Sequence, residues 1–114
     1  MSAASAMRAD AAAPLFAALG DATRLRIVER LGTDGPASIT RLGARADVTR
    51  QAIRKHLDVL ERAGLVRGRR DGREHVWQLE PRRLAAAHAY LDLVAAHWDA
   101  SLARLKAHVE DGSR

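Results

Sequence analysis

The sequence predicts a mainly α fold that carries one small two-stranded β-hairpin. Apolar residues recur at steps of three and four in several stretches before residue 64, and again from residue 84 onward. Between these stretches, Leu65-Val66 and Val76-Trp77 flank a polar run containing Asp71-Gly72, the signature of a hairpin. Aromatic residues make up only 4% of the chain, so Leu, Ile, Val and Ala must build the core, a composition that suits helices.

The elements follow in order. Residues 1–9 lack any pattern and read as a disordered tail. Asp10 is suited to cap a first helix, with Pro14 in its first turn, Leu15, Phe16 and Leu19 on one apolar face, and Gly20 at its end. Asp21 caps a second helix in which Leu25, Val28 and Leu31 recur beside Ile27, and which stops at Gly32, Gly35 and Pro36. A short third helix starts at Ser38, faces Ile39 and Leu42 inward, and ends near Ala46. After the tight connection Asp47-Val48-Thr49, Thr49 caps a fourth helix that runs to about Ala63 and closes on Gly64. Its apolar positions Ile53, Leu57 and Leu60 fall at i, i+4 and i+7. The hairpin follows, with Gly68-Arg69-Arg70-Asp71-Gly72-Arg73 as a basic tip. Pro81 opens a last helix from about Arg82 to Val109. Leu84, His88, Leu91, Ala95, Trp98, Leu102, Leu105 and Val109 form a seam of heptad spacing along it.

A chain of 114 residues is the size of one domain. With no cysteine, disulfides, thiolate metal sites and thiol redox chemistry are excluded. The Ala-rich N-terminus lacks the continuous apolar region of a signal peptide. No apolar run approaches the roughly 18 residues of a membrane span, so no membrane partner is expected and the chain reads as cytoplasmic. The net charge of +5 is unevenly spread. From Arg41 to Arg73 there are ten Lys and Arg against four Asp and Glu, a net of +6, and the remainder carries −1. That concentration points to a polyanion, with double-stranded DNA first among the choices.

Two helices joined by a short turn, the second exposing basic side chains, follow the helix-turn-helix plan, and a hairpin after them makes it a winged one. On the fourth helix, Gln51, Arg54, Lys55, Asp58 and Arg62 lie opposite the apolar face, with Arg50 on the flank. Gln51 suits an adenine edge, and Arg54 or Arg50 suits a guanine. Thr49 and the first-turn amides suit a phosphate, and Asp58, two turns down, is expected to point away from DNA. Arg67, Arg69, Arg70 and Arg73 form a basic wing that can reach phosphates or an adjacent minor groove. His56, on the apolar flank, reads as a packed, hydrogen-bonded side chain.

Two runs resemble the ArsR/SmtB family of winged-helix regulators. They are Leu19-Gly20-Asp21-Ala22-Thr23-Arg24-Leu25-Arg26-Ile27-Val28 and Val48-Thr49-Arg50-Gln51-Ala52-Ile53-Arg54-Lys55-His56-Leu57, the latter followed by Leu60, Ala63-Gly64-Leu65-Val66 and Gly72-Arg73. The resemblance covers about residues 10–95. It implies a DNA-binding unit at 10–80 and a dimerisation helix at 81–114 with a frayed end. It further implies a homodimer that represses its own gene from an operator of imperfect two-fold symmetry. Dimer contacts would come from the first and last helices, here Leu15, Phe16 and Leu19 with Leu84, Leu91, Trp98, Leu102 and Leu105.

Many members of that family sense metals, but this sequence departs from two of the family's ligand patterns. Ser38-Ile39-Thr40-Arg41-Leu42 stands where one site has a Cys-x-Cys pair. Pro81, Arg83, Val94 and His97 stand at the ligand positions of another, and three of those four cannot bind a metal. His97, His108 and Asp111 copy part of the spacing further down the helix, with Ala95 in place of a fourth ligand. No metal or other cofactor is expected, and the motifs name no effector. An enzyme is not expected either, since the chain has no phosphate loop, dinucleotide fingerprint or nucleophile elbow. Two alternatives to a sequence-specific regulator are a winged-helix module for protein contact and a nonspecific architectural DNA binder. The first would show aromatic anchors that the fourth helix lacks, and the second would bind all duplexes alike.

Overall fold

The computed structural model describes residues 8–112 apart from Arg45; of the tail expected over residues 1–9, residues 1–7 lie outside the described residues, and Ala9 is already the first residue of α1. The order of elements is α1 (Ala9–Leu19), α2 (Ala22–Asp34), β1 (Ala37–Ser38), α3 (Ile39–Gly43), α4 (Arg50–Arg62), β2 (Val66–Asp71), β3 (Glu74–Leu79) and α5 (Pro81–Gly112).

Helix α1 begins before Asp10, with Arg8 at the N-cap. Pro14 is therefore the sixth helical residue, beyond the first turn, and forgoes a backbone hydrogen bond there. The Asp21 carboxylate accepts from the Arg24 amide and starts α2 as expected. The inner face of α2 is built by Ile27 and Leu31, with Val28 half-buried. Leu25 is instead half-exposed, because a residue two before Ile27 lies about 200° around the helix. The Ser38 hydroxyl accepts from the Arg41 amide and caps α3, which ends at Gly43 rather than near Ala46.

Helix α4 follows the expectation closely. The Thr49 hydroxyl accepts from the Ala52 amide at 3.0 Å, and Ile53, Leu57 and Leu60 are buried. Its C-terminus closes by paired bonds, the Gly64 amide to the Glu61 carbonyl at 2.9 Å and the Leu65 amide to the Leu60 carbonyl at 3.0 Å. That closure places Gly64 at φ 79°, a left-handed position that glycine occupies at least cost. It also turns Leu65 back onto Leu60, and both side chains are fully buried.

The sheet has three antiparallel strands in the order β1-β3-β2, one more than the hairpin foreseen. Ala37 pairs with Trp77 and Ser38 with Val76. A two-residue strand has no periodicity to betray it, and only the return of β3 creates it. The hairpin pairs Asp71 with Glu74, so its loop is Gly72-Arg73, with Gly72 at φ 65°. Positive φ at the first loop residue alone is the pattern of a type II′ turn.

One core joins these elements: Leu15, Ile27, Leu31, Leu42, Ile53, Leu57, Leu60, Leu65, Val66, Trp77 and Ala87. Leu15, expected at a dimer surface, is 1% exposed and has no area left for a partner. Leu84 likewise packs against the chain's own core. Phe16 and Leu19 are half-buried beside it, and the Phe16 ring lies 6.0 Å from that of Tyr90 on α5. Ala87 is the buried residue of α5, which then runs on with Leu91, Trp98, Leu102, Leu105 and Val109 exposed. At 32 residues it is about 48 Å long and gives the chain its 71 Å long dimension.

Candidate nucleic-acid interface

The core fixes which face of α4 meets solvent. With Ile53, Leu57 and Leu60 inward, Arg50, Gln51, Arg54 and Lys55 are all exposed. Thr49 spends its hydroxyl oxygen as an acceptor for the cap, which leaves the hydroxyl proton free to donate to an anion. The Arg50 and Gln51 amides open the helix, where unpaired N–H groups favour a phosphate oxygen. Gln51 and Lys55 have no side-chain partner among the described residues.

The two arginines differ. Arg50 donates through Nη2 to the Thr40 hydroxyl on α3 at 3.0 Å. Arg54 lies with its guanidinium carbon 5.6 Å from the centre of the Trp77 ring, and its Nε is 3.6 Å from Asp58 Oδ1. Asp58 shares this outer face of α4, as its spacing predicts, and its charge is turned onto Arg54.

A second set of contacts fixes the attitude of α4. Arg24 donates through Nε to the Ala18 carbonyl, and its Nη1 lies 3.2 Å from His56 Nδ1. His56 Nδ1 is also 3.9 Å from the Asp21 carboxylate. The Arg24 amide first, and then the nearby His56 ring and Arg24 guanidinium, hold the Asp21 carboxyl below the usual carboxylate value. The run around Gly20-Asp21 thus ties α1, α2 and α4 together at one corner. His56 is part of that corner, as its position on the apolar flank suggested.

The pleat of the hairpin divides the four wing arginines. In an antiparallel pair, residues directly opposite share a face. Gly68 faces Trp77 and Arg70 faces His75, whereas Arg67 faces Gln78 and Arg69 faces Val76. Trp77 meets Arg54, so Arg70 is on the side of α4 and Arg67 and Arg69 are on the other. On that far side Arg67 lies 3.8 Å from Glu80, and Arg69 donates to Gln78 at 2.8 Å and lies 4.0 Å from Asp71. Arg70 and Arg73 are at the tip, where Arg70 reaches the Arg73 carbonyl at 3.5 Å.

Between α3, α4 and β3 lies a shallow groove of about 240 Å³, lined among others by Thr40, Arg50, Arg54, His75 and Trp77. Its floor is unusual. Trp77 is buried, its Nε1 has no hydrogen-bond partner among the described residues, and the His75 ring stacks on it at 4.0 Å. The stack covers Gly68 so closely that a Cβ there would come within 2.6 Å of His75 Nε2. Sequence reasoning missed Trp77, His75, Thr40 and Gly68. The available signal was that Gly68 lies opposite Trp77 once the Gly72 turn sets the register. A larger cleft of about 520 Å³ lies between α2 and the connection before α4, but its charges are partly cancelled by the Arg30–Asp34 pair at 3.9 Å.

Among the described residues no three His, Asp or Glu side chains are grouped to hold a metal ion, and His97, His108 and Asp111 are not brought together as a site. No helix of the described residues is long and apolar enough to cross a membrane.

Comparison with known proteins agrees with this geometry. Residues 19–69 match the helix-turn-helix domain family. The chain is 45% identical over 75 residues to the HTH-type transcriptional regulator Rv2034 of Mycobacterium tuberculosis, which spans 66% of this chain and 69% of that protein. It is 36% identical over 86 residues to the HTH-type transcriptional repressor SmtB of the same species, which spans 75% of this chain and 62% of the relative. Among solved structures, an ArsR-like transcriptional regulator from Rhodococcus sp. RHA1 superposes with a TM-score of 0.73 at 38% identity, over 85% of this chain and 91% of the other. All three relatives are named as regulators or repressors of transcription. The chain belongs to the ArsR/SmtB family of winged helix-turn-helix transcriptional regulators.

Proposed function

We propose that the chain is a sequence-specific repressor that acts in the cytoplasm as a homodimer on a DNA operator of two-fold symmetry near its own gene. The observation that carries this reading is the juxtaposition of an exposed Gln51, Arg54 and Lys55 face on α4 with the Arg70 and Arg73 tip of the wing. The helix suits the major groove, and the tip suits the flanking backbone or minor groove. Thr49 and Arg50 serve the phosphates at the mouth of α4. Residues 10–80 form the DNA-binding unit, and the helix from 81 joins two copies.

The dimer reading rests on the apolar stripe of Leu91, Trp98, Leu102 and Leu105, with Trp98 64% exposed in the single chain. A stripe of this extent, left in water, marks an interaction surface. Phe16 and Leu19 border it. Repression is favoured by the likeness to a relative named as a repressor.

The test is a fluorescence-anisotropy titration of the metal-free protein against duplexes tiled from upstream of its own gene, with scrambled duplexes alongside, at physiological salt. The expected result is a site at least about a thousandfold tighter than scrambled DNA, saturating at two chains per duplex. Uniform weak binding would make the protein an architectural binder. No binding even at low salt would make it a protein-contact module.

A further inference from the structure

We propose that Arg54 is the base-reading arginine of α4, and that Asp58 and Trp77 are its positioning residues, so that strand β3 of the wing helps to set the sequence preference of the helix. This inference rests on the reading of α4 as the recognition element.

The geometry separates Arg54 from Arg50. The terminal Nη2 of Arg50 is engaged by Thr40, a contact that draws it back toward α3. Arg54 is held at the other end. Asp58 approaches its Nε at 3.6 Å and the Trp77 ring supports its guanidinium at 5.6 Å. Neither Nη1 nor Nη2 of Arg54 has a partner among the described residues. Those two groups are the donors that fork onto the O6 and N7 atoms of a guanine. A free arginine surrenders considerable rotamer freedom when it binds, and a plane already set by an aromatic face and a carboxylate surrenders less. Trp77 is itself packed in the core, 2% exposed and stacked against His75. The aromatic half of the support therefore belongs to the sheet, and the carboxylate half to the helix.

The test starts from the best duplex selected from a random pool. Affinities for it and for its single-base-pair variants are measured for the wild type, Arg54→Ala, Asp58→Asn, Trp77→Phe and the latter two combined with Arg54→Ala. Arg54→Ala is expected to flatten preference at one base pair by between about fivefold and a hundredfold. Asp58→Asn removes a negative charge and should tighten binding to every duplex. At that same base pair it should nevertheless lose about twofold in selectivity, the size of an exposed ion pair on one helix face. Trp77→Phe keeps a ring, deletes an N–H that has no partner, and weakens the cation–π contact, for a loss there of about two- to fivefold. Neither substitution should change selectivity once Arg54 is Ala.

If Arg54→Ala flattens one base pair while Asp58→Asn leaves its selectivity intact or changes all positions alike, the positioning role is refuted and the reading of α4 stands. If Arg54→Ala changes no base preference, or no duplex is preferred at all, the reading itself falls and takes the proposal with it. Asp58→Asn decides alone if Trp77→Phe fails to fold.

Discussion

Gly68→Ala adds one methyl group to the middle of β2, where an unobstructed strand would gain about 0.5–1 kcal/mol from it. Here the new Cβ comes 2.6 Å from His75 Nε2 and 3.2 Å from Trp77 Nε1. The first distance forces a movement. Trp77 is locked in the core, so the cheapest relief is for the exposed His75 ring to swing into water. That forfeits a stack at 4.0 Å worth about 0.5–1.5 kcal/mol. If the ring stays, the overpacking costs about 1–3 kcal/mol. The net expectation is a destabilisation of about 1 kcal/mol. In a His75→Ala background the 2.6 Å contact is gone and only the looser approach to Trp77 remains, so the same change becomes about neutral. The assay is a double-mutant cycle from urea unfolding, at one fixed protein concentration because the proposed association of two chains would make stability depend on it. A coupling of about 1 kcal/mol between positions 68 and 75 is expected. An equal cost of Gly68→Ala in both backgrounds would refute the reasoning, since the His75 ring would then not be what excludes the methyl group.

The remaining predictions concern the proposed DNA surface, the proposed dimer and pH. Arg70→Ala or Arg73→Ala should flatten the plot of log affinity against log salt by about 0.9 for each phosphate no longer neutralised, whereas Arg67→Ala, turned toward Glu80, should leave the slope unchanged. Equal slopes for all three variants would undo the division of the wing by its pleat. Leu102→Glu should yield monomers in sedimentation, while Leu25→Glu, equally exposed but on α2, should not. A dimer that survives Leu102→Glu would remove the distal half of α5 from the interface. The depressed carboxyl of Asp21 contributes stability that is fully present above its unfolded value, near 4, and is lost as pH falls through the lower folded value. Asp21→Asn keeps a cap without the titration, so the wild type's stability advantage should shrink on acidification below about pH 5. An advantage that stays constant with pH would show that the carboxyl titrates alike in the folded and unfolded chain.

Much of α4 was legible in the sequence because it is governed by local chemistry. Thr49 caps the first turn through a hydrogen bond three residues away, and the i, i+4, i+7 spacing sends Ile53, Leu57 and Leu60 one way and Gln51, Arg54 and Lys55 the other. Gly64 ends the helix because its closure demands a left-handed residue, and Gly72 turns the hairpin for a related reason. The family signature was legible too, but not its job. Arg24 reaches His56, 32 residues away, and no spacing rule connects them.

What the tertiary structure alone decided is which of these groups remain free. Four wing arginines look equivalent in a sequence. The register against β3 puts Arg67 and Arg69 on the face of Gln78 and Glu80, and leaves Arg70 on the side of α4. Two basic residues of α4 look equivalent until Thr40 engages Arg50 while Trp77 and Asp58 set the plane of Arg54. The heptad seam looked continuous, yet Leu84 is spent on the chain's own core and Leu91 onward is not, because the domain ends before the helix does. The physical reason is the same in each case. Periodicity and capping act within one element over a few residues, whereas burial and partnership depend on where another part of the chain returns.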